Sequence, residues 1–149
     1  MSISYDAFTG AFLAKITEYD LLSMADASRT DIVDGYMKRA ISTFNKICKY
    51  DLISHADDTE RQFDVDIKEQ DVDELVDIVS EGMVVQWLKP YVYRQELLEN
   101  TLNTRDFTTY SPAELLMRVG NAYNKAQKDY TQMVREYSYN TGNLAVLHL

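Results

Sequence analysis

The side chains that could do chemistry are few, and their spacing argues against catalysis. The chain has one cysteine, Cys48, and two histidines, His55 and His148. These three share no metal-ligand spacing. Glycines 10, 35, 82, 120 and 142 stand singly, so no glycine loop cradles phosphate, and no HExxH pair occurs. Cys48, between Ile47 and Lys49 near an expected helix end, reads as a buried structural thiol. A single cysteine excludes an internal disulfide. The abundant reactive group is the carboxylate. Between His55 and Glu81 the chain carries 11 acids against two bases, Arg61 and Lys68, a local balance equal to the whole net charge of −9. A calcium loop needs oxygens at alternating positions and glycine at the sixth. From Asp64 the sixth position is Glu69, and from Asp71 the fifth is Leu75, so both registers fail. So many carboxylates in one stretch make close pairs inevitable, and no pair stands out as acid and base. The expectation is a protein that is not an enzyme, with no catalytic residue, no cofactor and no metal. A small enzyme using clustered carboxylates is the rival, and it requires a deep pocket with a bound metal.

The charge also bounds the partners. Outside 55–81 acids and bases balance at 13 each, so one surface should be strongly negative and the rest neutral. Nonspecific nucleic-acid binding needs Lys and Arg against phosphate, which this balance opposes. No window approaches the roughly 18 apolar residues of a membrane span, and the N-terminus lacks the basic and apolar regions of a signal peptide.

The elements that must carry these groups read as helices. A length of 149 residues fits one domain. A first helix is expected over 4–16, with Phe8, Phe12, Leu13 and Ile16 on one face. A turn-rich connection follows, anchored by Leu21, Leu22 and Met24. A second helix over 29–46 carries Ile32, Val33, Tyr36, Met37, Ala40, Ile41 and Phe44 as a wide apolar stripe, with Ser28 or Thr30 as N-cap. Residues 48–69 form an irregular acidic arm. In it "FDVDI" alternates Phe63, Val65 and Ile67 against acids, as a short half-exposed strand or an extended arm. A third helix over 71–88 buries Val72, Leu75, Val76, Val79, Met83 and Trp87. Gly82, costing about 1 kcal/mol against alanine in a helix, marks a close helix crossing. Pro90 should end or kink this helix, and "YVYRQELLENTLN" resumes helically. In "TYSPAELL", Ser111 as N-cap, Pro112 at the first helical position and Glu114 three residues after the cap form a capping box. The helix then runs to about Tyr137. Leu116, Val119, Tyr123, Ala126, Tyr130, Met133 and Tyr137 make an a/d seam. Its tyrosines suit either packing on the second and third helices or a subunit interface, for which Tyr123, Tyr130, Met133 and Tyr137 are the candidates. The fold class is therefore all-α: a small helical bundle over 1–137, with the irregular acidic arm and an extended C-terminal tail over 138–149.

That tail, "NLAVLHL" after a break at Asn140, Thr141 and Gly142, is apolar on both faces if extended. Burying Leu144, Val146, Leu147 and Leu149 gives ~6–10 kcal/mol gross, while ordering some dozen residues costs ~12–24 kcal/mol. Folding back onto its own core is the alternative. The tail gains more by adding as a strand to a neighbour in a repeated assembly, which it can reach across about 40 Å.

The order of four segments resembles the head-to-tail connector proteins of long-tailed bacteriophages, the neck adaptors that attach beneath the portal. The segments are "AISTFNKICKYDL" (40–52), "EGMVVQWLKPYV" (81–92), "NTRDFTTYSPAELL" (103–116) and "YSYNTGNLAVL" (137–147). The resemblance implies a structural virion protein, assembled in the host cytoplasm as a ring, usually dodecameric. It implies no reaction and no cofactor. Its partners would be the portal protein, the next neck or tail-completion protein, and other copies of itself. Double-stranded DNA would pass through without specific binding, and no membrane is involved. The C-terminal segment, with Tyr139, Leu144, Val146, Leu147 and Leu149, would dock into the portal. Asp71, Asp73 and Asp77 become candidates for a channel-facing surface that repels phosphate; a solvated outer face is the alternative. A tail-completion or capsid-decorating protein, and a helical binding module outside phages, are the other readings.

Overall fold

The computed structural model describes residues 2–16, 30–93 and 112–140. Its elements in chain order are β1 (Ile3–Ser4), α1 (Tyr5–Ile16), α2 (Thr30–Phe44), a 3₁₀ turn (Ile53–His55), β2 (Ala56–Asp57), β3 (Gln62–Phe63), α3 (Glu69–Tyr93) and α4 (Pro112–Asn140). The fold is an all-α bundle. The anchor at Leu21, Leu22 and Met24, the caps Ser28 and Ser111, most of "YVYRQELLENTLN", and tail residues Leu144, Val146, Leu147 and Leu149 lie outside the described residues.

The bundle is organised around α3, against which α1, α2 and α4 all pack. Of the stripe expected on α3, Leu75, Val79, Met83 and Trp87 are buried and Val72 and Val76 half-buried, and the buried set is wider. Ile78, Ser80, Glu81, Val84, Val85 and Leu88 are buried as well, so the middle of the helix is enclosed on every side. A helix segment packed by three neighbours has no solvent face there, and an apolar run such as "MVVQWL" is what that environment selects. The two polar residues are accounted for. Ser80 Oγ donates to the Asp77 carbonyl at 3.0 Å. Glu81, only 8% exposed, receives Lys15 Nζ at 2.9 Å. Pro90 does not end the helix, which continues to Tyr93. A proline removes one backbone donor and crowds the carbonyl four residues back. Here that disturbance falls within the last turn.

The Gly82 crossing is real. A Cβ built on Gly82 would lie 2.9 Å from Tyr130 Cε1 and 3.1 Å from Ala40 Cβ. Its absence lets α2, α3 and α4 approach at one point. On α1 the buried face is Tyr5, Phe8, Thr9, Phe12 and Ile16. Leu13, expected in that stripe, is 37% exposed, because its position is turned to the edge of the face. On α2, Val33, Met37, Ala40, Ile41 and Phe44 are buried as expected, with Tyr36 packed at the margin.

The acidic arm folds onto the bundle. β3 is the middle strand of a three-stranded antiparallel sheet, paired with β1 through Ile3–Phe63 and Ser4–Gln62 and with β2 through Ala56–Phe63 and Asp57–Gln62. Phe63 and Ile67 are buried, Val65 is half-buried, and Asp64 and Asp66 point outward, so the alternation in "FDVDI" is what seats the arm. Phe63 packs against Tyr5 at a ring separation of 4.8 Å and edge-on to Phe8 at 5.6 Å.

Candidate functional site

Two polar features of the described residues combine charged side chains with a shaped surface, a clasp that holds the arm and a groove beside the α3–α4 seam.

The clasp is built on the β2–β3 turn. Asp57 Oδ1 accepts from the Thr59 and Glu60 amides, which tightens the turn. Arg61 then adopts φ 52°, a left-handed conformation that costs an ordinary residue about 1 kcal/mol. Its side chain explains why the cost is tolerated. The guanidinium forks onto Asp34 through Nε at 2.9 Å and Nη2 at 2.8 Å, and Nη1 reaches Asp6 at 2.8 Å. Its carbonyl accepts from the Tyr5 amide at 2.9 Å. Hydrogen bonds to Asp34 and then Asp6 push the Arg61 pKa still further up. Beside it, Tyr5 Oη donates to Asp58 Oδ1 at 2.6 Å, and Lys38 lies 3.0 Å from the same oxygen. Burial, followed by the Asp58 bond, raises the Tyr5 pKa; the bonds from Tyr5 and then Lys38 hold Asp58 below the usual carboxylate range.

The groove has a volume of about 380 Å³ and is lined by Asp73, Glu74 and Asp77 of α3, and by Glu136 of α4, above a floor of Ile78, Met133 and Tyr137. Four carboxylates therefore face one partly apolar trough. Lys15 reaches its edge, bonding Asp77 at 2.8 Å and Glu81 at 2.9 Å. Burial alone would lower the Lys15 pKa, but the bonds to Asp77 and Glu81 outweigh it and raise the value.

The candidate channel acids fare differently from one another. Asp71 accepts from Tyr50 Oη at 2.6 Å and lies 3.8 Å from Lys49 Nζ, so it is committed to holding the segment before the arm. Asp77 is paired with Lys15. Asp73 is exposed on the groove wall. The seam candidates Tyr123, Tyr130, Met133 and Tyr137 all pack on the chain's own core. Tyr137 is buried edge-on to Phe44 at 5.1 Å, and its hydroxyl accepts from the Lys49 amide at 2.8 Å. Of the two roles expected for this face, packing within the chain is the one Tyr137 performs in the described residues, while Tyr123, Tyr130 and Met133 are half-buried. Tyr139 is not part of an extended segment: α4 continues to Asn140, and Tyr139 stands 69% exposed on its last turn.

Cys48 is half-buried beside the Tyr137 hydroxyl at 3.8 Å. Burial pushes its thiol pKa up, which keeps it protonated and poorly nucleophilic. His55 is exposed, with Nδ1 2.8 Å from the Asp51 carbonyl. Among the described residues no group of three His, Cys, Asp or Glu side chains is placed to hold a metal ion. None of their helices is long and apolar enough to cross a membrane. Sequence reasoning missed Lys15, Arg61 and Glu136. Glu136 could have been found, since it adjoins Tyr137 on the seam helix; the partners of Lys15 and Arg61 lie dozens of positions away.

Comparison of the chain with protein-family models, with curated proteins and with solved structures finds no match.

Proposed function

We propose that this chain is a structural virion protein, an adaptor that assembles as a ring between the portal of a phage head and the neck or tail and forms part of the DNA channel. It acts by assembly rather than by a reaction. The observation that carries the reading is the layout around α4. A 29-residue helix packs on α3 and ends at Asn140 with Tyr139 exposed. It leads directly into the apolar segment that holds Leu144, Val146, Leu147 and Leu149. A helix followed by a segment of this apolar sequence suits docking into a neighbouring sheet, where backbone hydrogen bonds would supply affinity and alternate side chains would fill pockets. The order of motifs shared with the neck adaptors supports the same partner, the portal protein. Of the candidate channel acids, Asp71 is bonded to Tyr50 and Asp77 to Lys15, and Asp73 stands exposed on the groove wall.

The test is a binding assay between purified full-length chain and portal proteins of long-tailed phages, run beside a variant lacking residues 141–149. The expected result is portal binding by the full chain and loss of binding on deletion, with helical circular dichroism unchanged. Binding that survives deletion contradicts the docking role of the tail, and no portal binding by either form contradicts the adaptor reading.

A further inference from the structure

The described body carries two recesses along the α3–α4 pair, and their charges are opposite in character. The first is the acid-lined groove, formed by the N-terminal half of α3 and the C-terminal part of α4. The second, of about 210 Å³, is formed by the C-terminal half of α3, the middle of α4 and the flank of α2. No carboxylate lines it. Its wall includes Thr43, Gln86, Lys89 and Gln127. Arg39 lies one helical turn before Thr43, Lys46 lies two residues past the end of α2 at Phe44, and both are exposed, as is Lys89. Lys89 thus lines the recess, and Arg39 and Lys46 place two more exposed basic side chains on and just after α2, which flanks it.

The centres of the two recesses are some ten residues apart on α3, roughly 15 Å of helix. The α3 residues of the second are turned by about a quarter-circle from those of the first at ~100° per residue, and those of α4 likewise. The surfaces are therefore complementary in charge but point in different directions. Neither can satisfy itself within one molecule, and a two-fold contact is not required to bring them together. That is the geometry of a heterologous interface, which closes into a ring or runs on as a filament.

We infer that the basic side chains Arg39, Lys46 and Lys89 of one copy seat in the acidic groove at Asp73, Glu74 and Glu136 of the next. Long flexible basic side chains reach a recessed carboxylate wall, and the apolar floor at Ile78 and Met133 accommodates their methylene stems. The second recess is smaller than a cofactor site, so it fits a contact between side chains rather than a bound small molecule. The inference rests on the ring reading above and names the surfaces that would build the ring.

Sedimentation velocity on the full chain at low and high salt tests it. The acidic double variant is Asp73→Lys with Glu74→Lys. The basic one is Arg39→Glu with Lys89→Glu. All four positions are exposed, and circular dichroism checks that each variant folds. The expected result is salt-sensitive self-association of the natural chain, weakened at least about tenfold by either reversal. An equimolar mixture of the two variants should restore hetero-association, because reversed acid then faces reversed base. A natural chain that stays monomeric at low salt overturns the inference, as does association that neither reversal changes. The latter result leaves the adaptor reading standing. Association through these surfaces without any portal binding removes that reading instead and leaves the inference intact.

Discussion

The arm clasp holds its place with charged and polar bonds, whereas the α3–α4 seam holds with packed rings and a glycine crossing. In the clasp, Arg61, Lys38 and Tyr5 meet Asp34, Asp6 and Asp58, mostly at the surface. In the seam, Val119, Ala126 and Tyr137 are buried, and Gly82 admits the Tyr130 ring. The difference follows from composition. The arm over 48–69 has little apolar surface to bury, so it is fastened by ion pairs, from its own Arg61 to Asp34 and Asp6 and from Lys38 to Asp58, and by Leu52, Phe63 and Ile67, which reach the core. The lesson is that the two regions should fail under different stresses: the clasp with salt and pH, the seam with changes in volume.

Enlarging the seam should have the greatest effect. Gly82→Leu places several atoms where even a Cβ meets Tyr130 and Ala40, and overpacking of this kind costs about 3 kcal/mol. Urea denaturation should show that loss, with little dependence on salt. An unchanged midpoint would mean the helices do not cross tightly at Gly82.

Breaking the clasp should come next. Arg61→Ala removes a forked bond to a largely covered Asp34, a loss of about 2 kcal/mol for charge-assisted hydrogen bonds. Arg61→Lys should recover only part of it, since a point charge cannot fork. The pH dependence has a definite sign. The folded Asp58 pKa is depressed, so its contribution is complete above the unfolded value of about 4 and is lost as pH falls through the folded one. The folded Tyr5 pKa is raised, so its contribution is complete below about 10 and is lost as pH rises through the raised value. Amide hydrogen exchange at Tyr5 and Asp64, whose donors bond Arg61 and His55, should therefore quicken in acid before that of α4. Simultaneous loss of both would contradict the separation.

The smallest effects should differ in sign between two tyrosines of the same seam. Tyr137→Phe forfeits the bond from the Lys49 amide and should cost about 1 kcal/mol. Tyr130 has a buried hydroxyl with no hydrogen-bond partner among the described residues, and burial raises its pKa to about 12. Tyr130→Phe should then be neutral or stabilising. Equal losses at both would mean that the Tyr130 hydroxyl is bonded.

The sequence is a good guide where structure is local. The stripe on α2, the start of α4 at Pro112 and the special position of Gly82 were all legible, because period, capping chemistry and glycine cost act over a few residues. Less legible was whatever depends on distant partners. Ile3 pairs with Phe63 across strands of two residues, and Arg61, in the turn before β3, reaches Asp34 on α2; neither pairing leaves a signal in the sequence. The all-round burial of the middle of α3 was hidden for a related reason: a hydrophobic stripe shows one face, and the number of neighbours is a property of the whole bundle. At the candidate sites, the carboxylates of 55–81 were obvious as composition. Their division into structural acids such as Asp71 and groove acids such as Asp73 depended on where Tyr50 and Lys15 lie.

Assembly is the most consequential claim, and electron microscopy of the purified chain mixed with a portal protein tests it most directly. The expected image is a closed ring of copies stacked on the portal, with residues 141–149 ordered against a neighbouring protein. Copies that remain single beside an unoccupied portal, with those residues laid on their own helices, would contradict it.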